Sequence, residues 1–236
     1  MNGLLVRVGA DLSAGGGSWN GPVDEATGEF VYVAIPENSP VHAGMAKPYS
    51  ALTPALARFG VRLPAHLKMR HMHLDPDFQY LTYGDQGQRA RQLRANLGIG
   101  DLIVFYAGLA ATAGAARLVY ALIGLLLVKE FILAVGVPAR DRNMNAHSRR
   151  DLAPGTKGLI VRGEPAVSGR LTRCVPIGEY RDRAYRVRKN VLEEWGGLSV
   201  RDGYLQRSAR LPRLLDPARF MLWFRKQGTL LIQANN

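Results

Sequence analysis

The sequence predicts an α+β fold, a curved mixed sheet flanked by helices, and three observations predict it. Two long apolar runs, LIVFYAGL from Leu102 and LVYALIGLLLVKEFI from Leu118, are rich in β-branched and aromatic residues. Such runs suit buried strands, here joined by the glycine- and alanine-rich AATAGAA stretch; helix also fits Leu118 to Val128. A 3.6-residue pattern covers Gln86 to Leu97, where Leu93 and Leu97 lie four apart, arginines fill the rest of the circumference, and Gly98 ends the run. Asp216 followed by Pro217 supplies a helix start near the C-terminus. In chain order the remaining elements are a strand at Leu4 to Val8, a glycine-rich turn, a strand from Phe30 to Ile35 closed by Pro36, and a proline-rich loop. Strands at Gly158 to Arg162 and Leu171 to Ile177 follow, then a short helix over NVLEEW ended by Gly196 and Gly197.

With 236 residues and 47% hydrophobic content the chain can bury a sizeable core. We read 1–236 as a single domain with a basic portion at 139–236. A lone cysteine, Cys174, excludes an internal disulfide framework, and no charged segment followed by an apolar run opens the chain, so a cytoplasmic location is expected. No membrane association is expected either. Arg117, Lys129 and Glu130 interrupt the apolar region before it reaches the roughly 20 residues a spanning helix needs.

The net charge of +12 is unevenly placed: residues 1–138 carry 11 Lys and Arg against 10 Asp and Glu, residues 139–236 carry 20 against 9. Arginine outnumbers lysine 25 to 6, and the planar guanidinium suits bidentate contact with phosphates or base edges. A GC-rich genome would also raise arginine over lysine. The asymmetry nevertheless points to a polyanionic partner, for which DNA is the expectation.

Between His71 and Arg94 the chain reads HMHLDPDFQYLTYGDQGQRARQLR, with two His, three Asp and three Arg in 24 residues. No other stretch concentrates so many groups able to hold or move protons. His71 and His73 alternate in an extended segment and are expected on one face. Asp75 has a structural reading as well. LDPDF and LDPAR share the Asp-Pro pattern, so Asp75 can cap a helix with Pro76 at its first position and Asp77 complementing the dipole. Metal is not expected: His71, His73, Asp75 and Asp77 alternate, but Pro76 and that helix start would break the geometry needed to converge them, and neither CxxC nor HExxH occurs. In GADLSAGGGSWNG, Asp11 and Ser13 sit on a glycine-rich turn whose amides could approach a sugar or phosphate closely. The turn lacks the lysine of a P-loop and the spacing of a dinucleotide fingerprint, which disfavours nucleotide triphosphate chemistry and leaves no cofactor indicated.

The order VRVGADLSAGGGS, VAIPE, YSAL, HLDPDF, GQRARQL, GIGDLIVFYAGL, VYALIGLLLV, with the SRR segment at Ser148 and the Tyr185, Arg186 region, resembles the third class of the nucleotide modification-associated domain family over most of the chain. WNGPV, where the family more often has Ser-Pro, and FYAGL depart from it. A second similarity, GIGDLIVFYAGL leading into an apolar strand, looks like the central hairpin of PUA-like domains and would make the sheet a partial barrel.

The family resemblance implies work on DNA with modified or hypermodified bases, in phage-host conflict. A base stacked in duplex DNA must be flipped out to be reached. Candidate stacking groups are Trp19, Tyr80, Tyr83, Tyr106 and Trp195, with Trp19 and Tyr83 placed first because their polar, glycine-bearing neighbours favour exposure. The polar inventory suits hydrolysis of an N-glycosidic bond, as in a DNA glycosylase. Asp11, Asp75 or Asp77 would activate water or stabilise the sugar cation, His73 would assist the departing base, and Gln86 and Gln88 would hold its edge. The alternative is a reader of modified bases without catalysis. Phosphate contacts are assigned to Arg7, Arg89, Arg149 and Arg150 and to the C-terminal Arg201, Arg207, Arg210, Arg213 and Arg219.

Overall fold

The structure is a computed structural model that describes residues 1–10, 19–114, 117–153, 155–205 and 210–236. Its centre is a mixed sheet built on the two apolar runs, which form β6 (Leu102–Ala111) and the 16-residue β7 (Leu118–Leu133). The pair is antiparallel with a register shift between Phe105 and Tyr106. Nearly every residue of β6 is buried, as a continuous apolar run predicts for a strand covered on both faces. The helical option for Leu118 to Val128 is thereby excluded.

β7 is long enough to serve several neighbours. Its first half pairs on one side with β6 and on the other with β9 (Gly169–Pro176), and its second half pairs with β8 (Gly158–Gly163). β8 carries β5 (Thr82–Gln86) at its outer edge. On the far side of β6, β1 (Gly3–Arg7) and the two-residue β2 (Pro22–Val23) run parallel to it, end to end. β12 (Leu231–Ile232) adds to β9. The described strands do not close into a barrel. Two smaller pairs complete the β structure, β3 (Ile35–Pro36) with β4 (Met72–His73) and the hairpin of β10 (Gly178–Arg181) with β11 (Ala184–Val187).

The helices are α1 (Thr53–Ala57), α2 (Gly87–Asn96), the one-turn α3 (Ala146–Arg149), α4 (Lys189–Glu194) and α5 (Pro217–Arg225). α2 buries Ala90 and Leu93 and is capped by the extended Leu97, one residue before Gly98. α5 begins as read, with Pro217 in its first turn and the Asp216 carboxylate accepting from the Arg219 amide at 3.0 Å. Its buried Phe220 and Trp223 pack against Trp195, with ring centroids 5.0 and 5.2 Å away. The principal hydrophobic core runs from Leu4 to Phe224 and so takes in both the acid-balanced and the basic parts of the chain.

Three local expectations are corrected. Of the anticipated Phe30 to Ile35 strand only Ile35 is paired as a strand, together with Pro36, the residue expected to close it, and Phe30 makes an isolated bridge to Val23. No helix follows Pro76: the chain bends, Asp77 bridges to Thr82, and a turn leads into β5. His71 and His73 do not share an environment, for His71 is exposed whereas His73 is 6% exposed. Among the described residues no helix is long and apolar enough to cross a membrane.

Candidate functional site

Among the described residues, buried polar groups concentrate where β4, the bend after it, β5 and α3 meet. His73 ends β4, Asp75 sits in the bend, and Gly84 and Asp85 lie in β5. Four buried residues of α3 and its flank, Asn145, His147, Ser148 and Arg149, close the arrangement from a segment more than 60 residues away.

Several of the donors and acceptors there are fixed by a second group. The Asp75 Oδ1 accepts from the Gly84 amide at 2.8 Å and from Asn145 Nδ2 at 2.9 Å. Asn145 also caps α3 by accepting from the His147 amide at 2.9 Å, which ties the carboxylate to the helix that carries His147. The other oxygen, Oδ2, lies 3.6 Å from His147 Nε2, beyond good hydrogen-bond reach. The rings of His73 and His147 meet edge to face with centroids 4.9 Å apart.

Glu37, just past β3, orients His73: its Oε2 is 2.6 Å from His73 Nδ1. Arg150 donates to the same carboxylate, at 2.9 Å from Nη2 to Oε1. Burial pushes the Glu37 carboxyl up, but the hydrogen bonds from His73 and Arg150 outweigh it and hold the group down at about 2. Glu37 is therefore a carboxylate at neutral pH that accepts from His73 Nδ1–H, and Nε2 is the ring nitrogen outside that bond.

These groups face a cavity of about 130 Å³ lined by Arg7, Val8, Gly9, Ile35, His73, Asp75, Tyr83, Gly84, Asp85, Arg89 and His147. The end of β1 thus reaches the same cavity as the histidine segment. Gly84 makes the close approach possible: a Cβ there would stand 2.5 Å from His147 Cδ2 and 2.7 Å from Asn145 Oδ1. Two guanidiniums stand at the cavity. Arg7 donates to the Tyr120 hydroxyl at 2.8 Å, and Arg89 pairs with Asp85 at 3.0 Å and donates to Tyr83 at 3.1 Å.

The anticipated residues divide clearly by position. His73, Asp75, Tyr83, Arg7 and Arg89 line the cavity. Tyr83 does so from within the core, 3% exposed and hydrogen-bonded to Asp85, and burial keeps its hydroxyl protonated well above the ordinary tyrosine range. Asp77 does not line it: at 1% exposure its carboxylate meets the Arg149 guanidinium, and Asn235 Nδ2 donates to it at 2.9 Å. Arg149, 2% exposed, is committed to that ion pair and is not at a surface where phosphate could reach it; Arg150 is committed to Glu37. Gln86 and Gln88 are exposed around the start of α2, outside the cavity lining. Trp19 is half-buried against the core, Tyr106 and Trp195 are core residues, and the half-buried Tyr80 accepts from Asn143. Arg201, Arg210, Arg213 and Arg219 are exposed. Asp11, Ser13 and Arg207 lie outside the described residues.

Glu37, Asn145 and His147 were missed by sequence reasoning. Glu37 stood in the VAIPE motif, and the other two in NAHSRR, a run with one apolar residue that is buried almost throughout. That run, one of only five places with a histidine, was the available signal. The expectation of no metal rested on His71, His73, Asp75 and Asp77 within one segment; His73 and Asp75 instead meet His147 from α3, and the three offer donor atoms all within 4.8 Å of one another.

Among known proteins, a family model described as nucleotide modification associated domain 3 matches residues 2–213. No curated protein and no solved structure gives a significant match.

Proposed function

Since the chain belongs to the nucleotide modification associated domain 3 family, we propose that it is a hydrolase that excises a modified base from DNA at the cavity bounded by His73, Asp75 and His147. The observation that carries this reading is the convergence of two imidazoles and a carboxylate on one concave site beside Arg7 and Arg89, with His73 held by Glu37, Asp75 by Gly84 and Asn145, and His147 carried on the turn that Asn145 caps. Preoriented groups of this kind support general acid and base catalysis, which contributes typically about 10²- to 10⁴-fold in rate. The nucleophile is a water held by the cluster. Its oxygen bonds to C1′ of the sugar as the C1′–N bond breaks, the electron pair leaves with the base nitrogen, and that nitrogen receives, through the cluster, the proton that the water gives up.

A cavity of this size takes a base or its polar substituent, not a whole nucleotide, so the sugar and phosphates stay outside. Arg7 and Arg89 are suited to the nearest phosphates, and the exposed Arg210 and Arg213 to more distant ones. A phage-host setting belongs to the same proposal and is what the family resemblance implies.

Incubation with DNA carrying hydroxymethylated or glycosylated bases, beside unmodified DNA, tests the reading. Released base measured by mass spectrometry, with matching abasic sites revealed by alkaline cleavage, is the expected outcome, reduced at least about 100-fold in Asp75→Asn. Retardation of the modified DNA with no base released would overturn the hydrolase and leave a reader of modified bases.

A further inference from the structure

We infer that His73, Asp75 and His147 form a binding site for one divalent transition-metal ion, through His73 Nε2, Asp75 Oδ2 and His147 Nε2. The inference goes beyond the proposed reaction, since the binding of the ion stands or falls without it.

Three features of the site carry it. The first is the donor set, two imidazoles and one carboxylate, which is a recurrent set for zinc and non-haem iron(II) sites that keep coordination positions open. His73 and Asp75 stand as His-x-Asp in the sequence, and His147 arrives from α3.

The second is the state of the remaining atoms. In metal sites the atoms that do not ligate are held by outer partners that fix tautomer and orientation. Here His73 Nδ1 is taken by Glu37, and Asp75 Oδ1 by the Gly84 amide and Asn145. Those bonds leave His73 Nε2 and Asp75 Oδ2 as the atoms able to ligate, and Oδ2 makes no hydrogen bond among the described residues.

The third is spacing. Donors about 2.0–2.2 Å from a shared ion stand roughly 3–3.5 Å apart from one another. Asp75 Oδ2 and His147 Nε2 are 3.6 Å apart, and His73, Asp75 and His147 each offer a donor atom within 4.8 Å of the others, so small side-chain rotations bring the three residues onto one ion. The open positions of that ion would face the cavity between Arg7 and Arg89, where water or an oxygen of a substrate can enter.

The full chain, treated with chelator and dialysed, is titrated with Zn²⁺ and, anaerobically, with Fe²⁺ by calorimetry, and with Co²⁺ by visible absorption. One equivalent of metal per chain is expected, with affinity lowered at least about 100-fold in Asp75→Ala and in His147→Ala. Glu37→Gln should weaken binding about 10- to 100-fold, as loss of an outer-shell partner does. His71→Ala, which removes an exposed histidine from the same segment, should bind like the unaltered chain. If His147→Ala fails to fold, Asp75→Asn and His73→Gln, checked by circular dichroism, take its place. Absence of stoichiometric binding, or binding that His71→Ala reduces as much as Asp75→Ala does, would overturn the site. Metal binding without base release would retain the ion and reject the reaction proposed above, whereas base release by a protein that binds no metal in the titration would retain the reaction and reject the ion.

Discussion

Leu74-Asp75-Pro76-Asp77-Phe78 and Leu215-Asp216-Pro217-Ala218-Arg219 start alike and fold differently. Asp216 accepts from the backbone three residues ahead and starts α5, whose apolar side chains at Phe220, Trp223 and Phe224 recur at helical spacing while the intervening positions reach solvent. Asp75 turns to partners 9 and 70 residues away, Gly84 and Asn145. Behind it Asp77 and Phe78 are both buried, and Asp77 finds Arg149. Asp-Pro therefore permits a helix start but does not impose one. The residues that follow decide, according to whether they offer one apolar stripe and a wet face or a charge that must be met inside the protein.

The sharpest way to break this contrast lies at the residue after proline. Replacing Asp77 by Ala would strand the buried Arg149 guanidinium and should destabilise the protein by about 3–5 kcal/mol, read from urea unfolding. A cost below about 1 kcal/mol would show that Asp77 does not hold the bend.

Acid titration probes the carboxylate that orients His73. Glu37 has its pKa lowered from 4.5 to about 2 in the folded protein, so the stability it contributes is complete above pH 4.5 and is lost as pH falls through about 2. In Glu37→Gln the loss of stability across this interval should be smaller than in the unaltered chain, and equal losses in thermal melts would contradict the assignment.

Gly84 sharpens the comparison, because Asp75 depends on its amide and His147 on its missing side chain. Gly84→Ala should cost about 1–3 kcal/mol through overpacking and impair base release beyond what the stability loss explains. Full activity in a stably folded Gly84→Ala would place His147 outside the reaction. The smallest effect belongs to the second Asp-Pro: Asp216→Ala should cost about 1 kcal/mol, the usual worth of such a cap, with activity kept.

The sheet and the larger helices were legible in the sequence because their signals are local. β-branched and aromatic runs marked β6 and β7, and Leu93, Leu97 and Gly98 marked α2. The site was legible in part. His73 and Asp75 stood out within one polar segment, but Glu37 and His147 lie 36 residues before and 74 residues after His73, with nothing local to join them. α3 is a single turn, too short for periodicity to show, and the burial of Arg149 reverses what an arginine in a basic stretch suggests.

Base release from modified DNA by Asp75→Asn and Asp216→Asn, prepared side by side and matched for folding, tests the central claim most directly. Loss in the first with near-normal release in the second is the result predicted for a carboxylate that belongs to a reacting centre. Equal release by both would mean that Asp75, like its counterpart, serves only the fold.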